Sequence, residues 1–182
     1  MKPLLKAKLG GSGEMNGLSS TGKILGVVAA AVLIMFLILL LFPIETTSAT
    51  MTAPRQPTLV DGEEHYLIHS GENFTVRIGA NHFGFPKEYS GALYYLTITK
   101  ADNESYYLYS PILITGFVST GWYLDESHEW TFKVVEGEQI WYWAGEQGWI
   151  HMEWSAEPVV PGEYVIRAKV LGDNHAFFFE VE

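Results

Sequence analysis

The apolar residues of this chain follow two patterns, and the change between them divides the sequence. Residues 24–42 (ILGVVAAAVLIMFLILLLF) form one uninterrupted apolar run without a charged side chain. At a helical rise of about 1.5 Å per residue, this run spans roughly 28 Å, close to the hydrocarbon thickness of a bilayer. Because a chain in lipid must satisfy its own backbone hydrogen bonds, the run predicts a transmembrane helix over residues 24–42.

Beyond residue 62, apolar and polar residues alternate with the period of two that is typical of half-buried strands. Residues 73–78 and 130–134 show the pattern, and turn-forming residues such as ADNE at 101–104 separate the strands. The last two strands are expected to pair with Val170 opposite His175. About nine short strands predict an all-β fold, an antiparallel β-sandwich of the immunoglobulin-like or jelly-roll type, behind a single N-terminal transmembrane helix.

Four segments follow from these patterns. We expect a disordered cytoplasmic tail at residues 1–23, the transmembrane helix at 24–42, a stalk rich in Thr, Ser and Pro at 43–62, and the extracytoplasmic β-sandwich at 63–182. Two alternatives to an uncleaved anchor are a cleaved signal peptide, with small residues at 47–49, and a prepilin-like leader. The apolar run is longer than the 7–15 residues of a usual signal peptide, which favours the anchor.

Charge indicates the orientation of the anchor. Four lysines (2, 6, 8 and 23) and Glu14 give residues 1–23 a net charge of +3. Because the whole chain has a net charge of −10, residues 24–182 carry −13. Because basic residues stay on the cytoplasmic side, we expect a plasma-membrane protein with a cytoplasmic N-terminus and an extracytoplasmic C-terminal domain. The acidic domain argues against a nucleic-acid partner, which requires a basic surface.

The chain contains no cysteine. A eukaryotic secreted domain of this size often carries disulfides, so their absence favours a prokaryotic cell surface. It also excludes a thiol nucleophile, a thiolate metal site and a cysteine-bridged copper centre.

The most distinctive segment is residues 139–154 (QIWYWAGEQGWIHMEW), which predicts a hairpin around the loop at 144–148. Pairing Trp143 with Trp149 places Trp141 opposite His151. The candidate binding face of this hairpin comprises Trp141, Trp143, Trp149, His151 and Glu153. Exposed tryptophans can anchor a protein partner or stack on sugar rings. If the face is functional, we expect a protein partner, with a glycan as the alternative. The competing interpretation is that another loop covers this face or that both faces are buried in the sandwich, and three tryptophans within nine residues favour such packing.

Metal and catalytic chemistry receive little support. Six histidines occur, but His65 and His69 lie about 13 Å apart in an extended strand, too far to share a metal. The carboxylates of Asp125, Glu126 and Glu129 lack the spacing of a calcium loop and are expected in a solvated turn. No Gly-x-Ser-x-Gly elbow or phosphate-binding loop is present. The sequence therefore predicts no catalytic residues, no metal and no cofactor.

Two Asn-x-Ser/Thr sequons make Asn73 and Asn103 candidate glycosylation acceptors. Asn103 falls in a predicted turn, where an acceptor is accessible.

Residues 129–170 resemble a known type of extracytoplasmic module. A strand WTFKV is followed by EGE, an aromatic strand and PGEYVI, a succession similar to the C-terminal part of GOLD/emp24-type and related jelly-roll or immunoglobulin-like domains. The resemblance implies binding of proteins or glycans without catalysis. Emp24 proteins carry a disulfide and a C-terminal anchor, and this chain differs on both points, so their cargo-receptor role is not carried over.

An N-terminal anchor before a β-sandwich also resembles subunit II of haem–copper oxidases in a version without copper. The prediction is thus a single-pass, membrane-anchored, non-catalytic interaction or structural module at the cell surface. The alternatives are an accessory subunit of a membrane enzyme complex and a glycan-binding module.

Overall fold

The computed structural model describes residues 20–110, 117–151 and 157–182. The chain divides into two compact units, with the boundary between Ile38 and Leu39. Most of the predicted tail, residues 1–19, lies outside the described residues.

Helix α1 (Ser20–Leu41) contains the apolar run and confirms that this run is helical. Its 22 residues span about 33 Å, and its apolar side chains are exposed. Among the described residues it is the one helix long and apolar enough to cross a membrane. Since exposed aliphatic side chains are costly in water, this composition suits a helix surrounded by lipid.

The rest of the described chain is mostly β-structure, with one short 3₁₀ helix, Gly145–Gln147, between β10 and β11. In chain order the strands are β1 (Ile44–Thr52), β2 (Thr58–Val60), β3 (Glu63–Ile68), β4 (Asn73–Phe83), β5 (Glu88–Ser90), β6 (Tyr94–Lys100), β7 (Asn103–Tyr109), β8 (Phe117–Ser119), β9 (Tyr123–Lys133), β10 (Trp141–Trp143), β11 (Trp149–His151), β12 (Gly162–Val170) and β13 (Asp173–Val181).

Two larger sheets and one small sheet contain these strands. The five-stranded sheet has the order β1-β4-β9-β10-β11 and is antiparallel throughout. The six-stranded sheet has the order β2-β3-β13-β12-β6-β7, in which β3 and β13 are parallel and the other neighbours are antiparallel. Strands β5 and β8 form a separate antiparallel pair.

The core contains residues from both larger sheets. Phe74, on β4 of the five-stranded sheet, contacts the ring of Phe179 on β13 of the six-stranded sheet, with centroids 5.1 Å apart. The ring centroid of Phe132, on β9 of the same sheet as Phe74, lies 5.4 Å from that of Phe74, and all three rings are fully buried. Burying a ring of this size contributes roughly 1.5–3 kcal/mol. The predicted alternation of residues 73–78 is confirmed, because Phe74, Val76 and Ile78 are buried between exposed or half-buried neighbours.

The predicted stalk is wrong over most of its length. Strand β1 pairs with β4 along all nine residues from Ile44 to Thr52, and Met51 is part of the core. Residues 44–52 alternate between an inward and an outward face, with threonine at four of the nine positions. Threonine is β-branched and favours strands, so a composition interpreted as a flexible linker also suits an edge strand.

The β12–β13 hairpin has a different register from the predicted one. Val170 pairs with Asp173 rather than with His175, around a two-residue turn at Leu171 and Gly172. Both turn residues have positive φ, 46° and 91°, as the favoured two-residue hairpin turns require. The shift is two residues, so each side chain keeps its predicted face.

Candidate functional site

The tryptophan-rich hairpin forms as the sequence predicts. Trp143 pairs with Trp149, Tyr142 with Ile150, and Trp141 with His151. Glu153, the fifth residue of the predicted face, lies outside the described residues. We call Trp141, Trp143, Trp149 and His151 the tryptophan ladder.

Strand β9 fixes which face of the hairpin is buried. Tyr142 pairs with the buried Phe132 and contacts its ring at 6.0 Å, while Trp141 pairs with Lys133. Ile140, two residues before Tyr142, is fully buried. Since alternate residues of a strand point to opposite faces, the tryptophan ladder lies on the outer face of the five-stranded sheet. Trp143 is exposed on this face, whereas Trp141, Trp149 and His151 are half-buried.

The ladder rings form two contacting pairs. Trp143 and Trp149 meet edge to face, with centroids 5.3 Å apart and planes at 67°. Trp141 and His151 lie 3.5 Å apart with planes at 35°. The ring of Trp143 is 45% exposed, whereas the other three are half-buried. The ladder thus combines a supported inner pair with an accessible ring at the hairpin tip.

The two rings of the inner pair, Trp141 and His151, differ in their hydrogen bonding. Glu138 accepts a hydrogen bond of 2.8 Å from Nε1 of Trp141. Nδ1 of His151 is buried and has no hydrogen-bond partner among the described residues.

The loop between β10 and β11 sets the spacing of the two tryptophans. Gly145 and Gly148 both have positive φ, 64° and 73°, a conformation that side chains other than glycine rarely adopt. The amide of Ala144 donates to the carbonyl of Gly148 at 2.9 Å and closes the loop. Two glycines at these positions allow Trp143 and Trp149 to lie directly opposite each other.

The histidines and carboxylates of the described residues do not form a metal-binding cluster. Within residues 20–110, 117–151 and 157–182, no group of three or more His, Asp or Glu side chains is close enough to hold a metal ion. Nδ1 of His65 instead lies 3.1 Å from the Glu163 carboxylate, and its ring stacks on Phe178.

The carboxylates at 125, 126 and 129 are not in a turn, as the sequence analysis predicts, but in the middle of β9. Glu126 pairs with the buried Ala80, so it shares the inward face, while Asp125 and Glu129 take the opposite face. The three groups therefore do not converge on one point. The turn prediction fails because five consecutive polar residues, 125–129, hide the alternation of this strand.

Inward-facing residues of β9 contribute a second aromatic row that sequence reasoning missed. His128 lies between Tyr94 and Trp130, with ring centroids 4.3 Å and 5.8 Å away, and its Nε2 is 3.6 Å from the Glu126 carboxylate. Burial and the nearby Glu126 carboxylate raise the pKa of Tyr94 to about 12. Tyr94 is on β6 of the other large sheet. Because it lies more than thirty residues before His128 in the sequence, local patterns do not predict that the two rings meet.

A buried polar cluster around His82 was also missed. The side chain of His82 is fully buried, and its Nδ1 lies 2.9 Å from Oε1 of Glu45. Glu45 also accepts hydrogen bonds from Lys87 Nζ at 2.5 Å and from the Tyr89 hydroxyl at 3.0 Å. Burial opposes ionisation of Glu45, but the hydrogen bonds from Lys87, His82 and Tyr89 outweigh it and hold the pKa of the carboxyl below its ordinary value.

Both sequon asparagines are exposed. Asn73 begins β4, and Asn103 begins β7 immediately after the turn at residues 101–102. The side-chain oxygen of Asn103 accepts a hydrogen bond from the amide of Ser105 at 3.1 Å.

Comparison with known proteins gives no family for this chain. No protein-family profile and no curated protein matches it. Among solved structures it is similar to the β-glucosidase from Listeria innocua in complex with isofagomine (13% identity, 77% of this chain, TM-score 0.34) and in complex with glucose (12%, 74%, TM-score 0.30). The chain corresponds to about 16% of each glucosidase chain, and a likeness at this level has no bearing on catalysis.

Proposed function

We propose that this chain is a single-pass membrane protein whose β-domain is an extracytoplasmic, non-catalytic recognition module. Helix α1 anchors it, and the tryptophan ladder binds a protein partner. The observation that carries the proposal is the exposure of Trp143 on the outer face of the sheet, where a large apolar ring costs free energy unless a partner covers it.

The β-domain is proposed to be a sandwich of its two larger sheets. The ring contact between Phe74 and Phe179 supports this arrangement, since it joins one sheet to the other within a shared core. A further support is Tyr164 at the start of β12, whose hydroxyl donates to the carbonyl of Val160 at 2.7 Å and accepts from its amide at 3.1 Å. A tyrosine bonded to backbone a few residues upstream is typical of immunoglobulin-like sandwiches.

The proposed orientation places residues preceding α1 in the cytoplasm. Lys23, in the first turn of the helix, and the three lysines before it favour that side. A protease added to right-side-out vesicles should then digest the β-domain and spare the tail. Digestion of the tail with protection of the domain contradicts this orientation.

Site-specific photocrosslinking tests the ladder. A photoreactive amino acid placed at position 143 of the full chain, in its native membrane, should give a crosslinked product of one defined mass. The same group at Arg77 is the matched control, because Arg77 is exposed on the same outer face of the five-stranded sheet. A product at 143 that disappears in a Trp149→Ala background supports the ladder. Equal products at both positions, or none at 143, contradict it.

A glycan ligand is the second candidate for the same ladder. The accessible ring of Trp143 next to the polar loop at 144–148 is the arrangement that stacks on a sugar while polar groups contact its hydroxyls. Glycan binding by the purified chain that is lost in Trp143→Ala and kept in Arg77→Ala favours this candidate over a protein partner.

A further inference from the structure

The described part of the β-domain has a second exposed aromatic surface, at a different end of the five-stranded sheet. Phe83, Phe85, Trp122 and Tyr123 are between 49% and 66% exposed. We call these four residues the aromatic patch. Phe85 and Trp122 meet edge to face with centroids 5.4 Å apart, and the amide of Gly84 donates to the carbonyl of Trp122 at 3.1 Å. The patch is thus a defined structural unit formed by two neighbouring segments.

Chain connectivity places this patch close to the anchor. Ile44 follows the last residue of α1 by three positions, so it lies within about 11 Å of the helix end. Ile44 pairs with Phe83, and Phe83 pairs with Tyr123. Since neighbouring strands are about 4.8 Å apart, the entire row lies within roughly 20 Å of the point where the chain leaves α1.

Gly84 lies close to the residue that precedes β1. It has a φ of 139°, and a Cβ at this position would lie 2.7 Å from the Cα of Pro43. Real Cβ atoms essentially never come so close, so the backbone of the patch packs directly against the residue that precedes β1. Only glycine fits here, both for its conformation and for its size.

The outer face of the five-stranded sheet changes from apolar to polar side chains directly beyond the patch. The row of Ile44, Phe83 and Tyr123 is apolar, whereas the next row consists of Thr46, Asn81 and Asp125. Two residues along a strand correspond to about 7 Å, so the apolar zone is one row deep. An interfacial segment typically enters the boundary between headgroups and acyl chains by about 5–10 Å, a depth of the same size.

The patch chemistry also fits this boundary. Aromatic rings with a polar end, such as Trp and Tyr, concentrate at membrane–water interfaces. The hydroxyl of Tyr123 donates a hydrogen bond of 3.3 Å to the carboxylate of Asp125, which belongs to the polar row. Phe42, between α1 and β1, is also exposed.

We propose that the aromatic patch inserts into the headgroup–acyl boundary of the membrane that holds α1, so that the β-domain rests on the lipid surface at this end. The proposal rests on the membrane anchoring by α1 proposed above. It leaves the tryptophan ladder, on a different hairpin, free for its partner. The domain carries net negative charge, so the patch contacts lipid through its rings and does not require anionic headgroups.

Because the chain has no cysteine, single cysteines can be labelled specifically. The full chain in phosphatidylcholine vesicles would carry a nitroxide at position 85 (Phe85→Cys), with Trp122→Cys as a second patch variant. Asn73→Cys is the matched control, since Asn73 is exposed at the opposite end of β4, about 34 Å from Phe83 along the strand. Ile34→Cys, in the middle of α1, reports on the anchor itself.

We expect labels at 85 and 122 to collide several-fold more often with oxygen dissolved in lipid than with a water-soluble relaxing agent, and the label at 73 to show the opposite ratio. A lipid signal at 34 together with an aqueous signal at 85 and 122 overturns the patch proposal and leaves the anchor intact. Shielding of 85 and 122 from both agents also overturns it, in favour of a protein partner on the patch. An aqueous signal at 34 removes the anchor, and the patch proposal with it.

Discussion

Trp143 lies directly opposite Trp149 across the β10–β11 hairpin, and their rings meet edge to face 5.3 Å apart. One residue away along β10, Tyr142 points to the other side of the sheet and packs against the core. Consecutive residues of one short strand therefore have different roles, and mutations at neighbouring positions should have different consequences for stability.

Replacing Trp143 by alanine should lower the free energy of unfolding by only about 0.5–1.5 kcal/mol, because nearly half of its side chain is already in water and the main loss is its edge-to-face contact with Trp149. Ile140→Ala, in the same segment, should lower the free energy of unfolding by about 2–5 kcal/mol, since it removes a fully buried side chain and leaves a cavity. Urea unfolding of the full chain in detergent micelles, followed by circular dichroism, measures both changes. A loss at Trp143 as large as that at Ile140 contradicts the assignment of the ladder to the outer face.

The Trp143→Ala, Trp149→Ala double variant adds a second comparison. Trp149 is half-buried, so its removal costs more than that of Trp143, but the domain should still unfold cooperatively. If the ladder is a recognition surface, this variant should no longer bind the partner but should still show a cooperative thermal unfolding transition. A domain that fails to fold in the double variant indicates that the ladder is mainly structural.

The hairpin shows what the sequence was able to predict. Its register follows from a loop with two glycines between two alternating segments, so Trp143 and Trp149 could be paired without any knowledge of the rest of the chain. The position of the ladder on the outer face of the sheet, with Trp143 exposed, could not be predicted in the same way. It depends on the pairing of Trp141 with Lys133, which lies on a different strand eight residues earlier.

Other errors have the same physical origin. Threonine, serine and proline content predicts a stalk at residues 43–62, yet residues 44–52 pair with β4, a strand that begins more than twenty positions later. The β12–β13 register differs because Leu171 adopts positive φ, which is unusual for leucine and is not signalled by local sequence. Local patterns predict the strands and their faces, whereas long-range pairing decides which strands belong to the domain.

The position of β1 leads to a prediction about the domain boundary. A fragment of residues 43–182 should be soluble and fold cooperatively with a β-type circular dichroism spectrum. A fragment of residues 60–182 lacks β1, which removes Met51 from the core and exposes the edge of β4 along nine residues. Exposed strand edges promote aggregation, so the shorter fragment should melt at a lower temperature or aggregate. Equal melting temperatures for the two fragments would show that β1 does not stabilise the domain.

The buried cluster at Glu45 predicts a specific pH dependence. The folded-state pKa of Glu45 lies below the ordinary value of 4.5, so its ionised form stabilises the folded chain at neutral pH. This contribution is complete above pH 4.5 and is lost as the pH falls through the folded-state pKa. Glu45→Gln keeps an acceptor for His82 but removes the charge. The variant should therefore be less stable than the wild type at pH 7 and should show a flatter decline of stability toward acid.

Glu88→Gln provides the control for this experiment, because Glu88 is exposed on β5 and close in sequence to the same cluster. Free energies of unfolding measured from pH 7 to pH 3 should show a smaller change in slope for Glu88→Gln than for Glu45→Gln. Identical pH profiles for the two variants would contradict a special role of the Glu45 carboxylate.

The hydroxyl of Tyr164 provides the last prediction. It is bonded to both backbone groups of Val160, four residues upstream, and the ring is fully buried and stacked on Phe179 at 5.3 Å. Tyr164→Phe keeps the ring and the stacking but leaves the Val160 amide and carbonyl without this partner, which typically costs about 1–3 kcal/mol. Tyr107→Phe is the matched control, because Tyr107 is a partly exposed tyrosine on β7 and its replacement should change stability little. Chemical unfolding of both variants tests the difference. If Tyr164→Phe is as stable as the wild type, the hydroxyl does not fix the entry into β12, and one support for the immunoglobulin-like arrangement is removed.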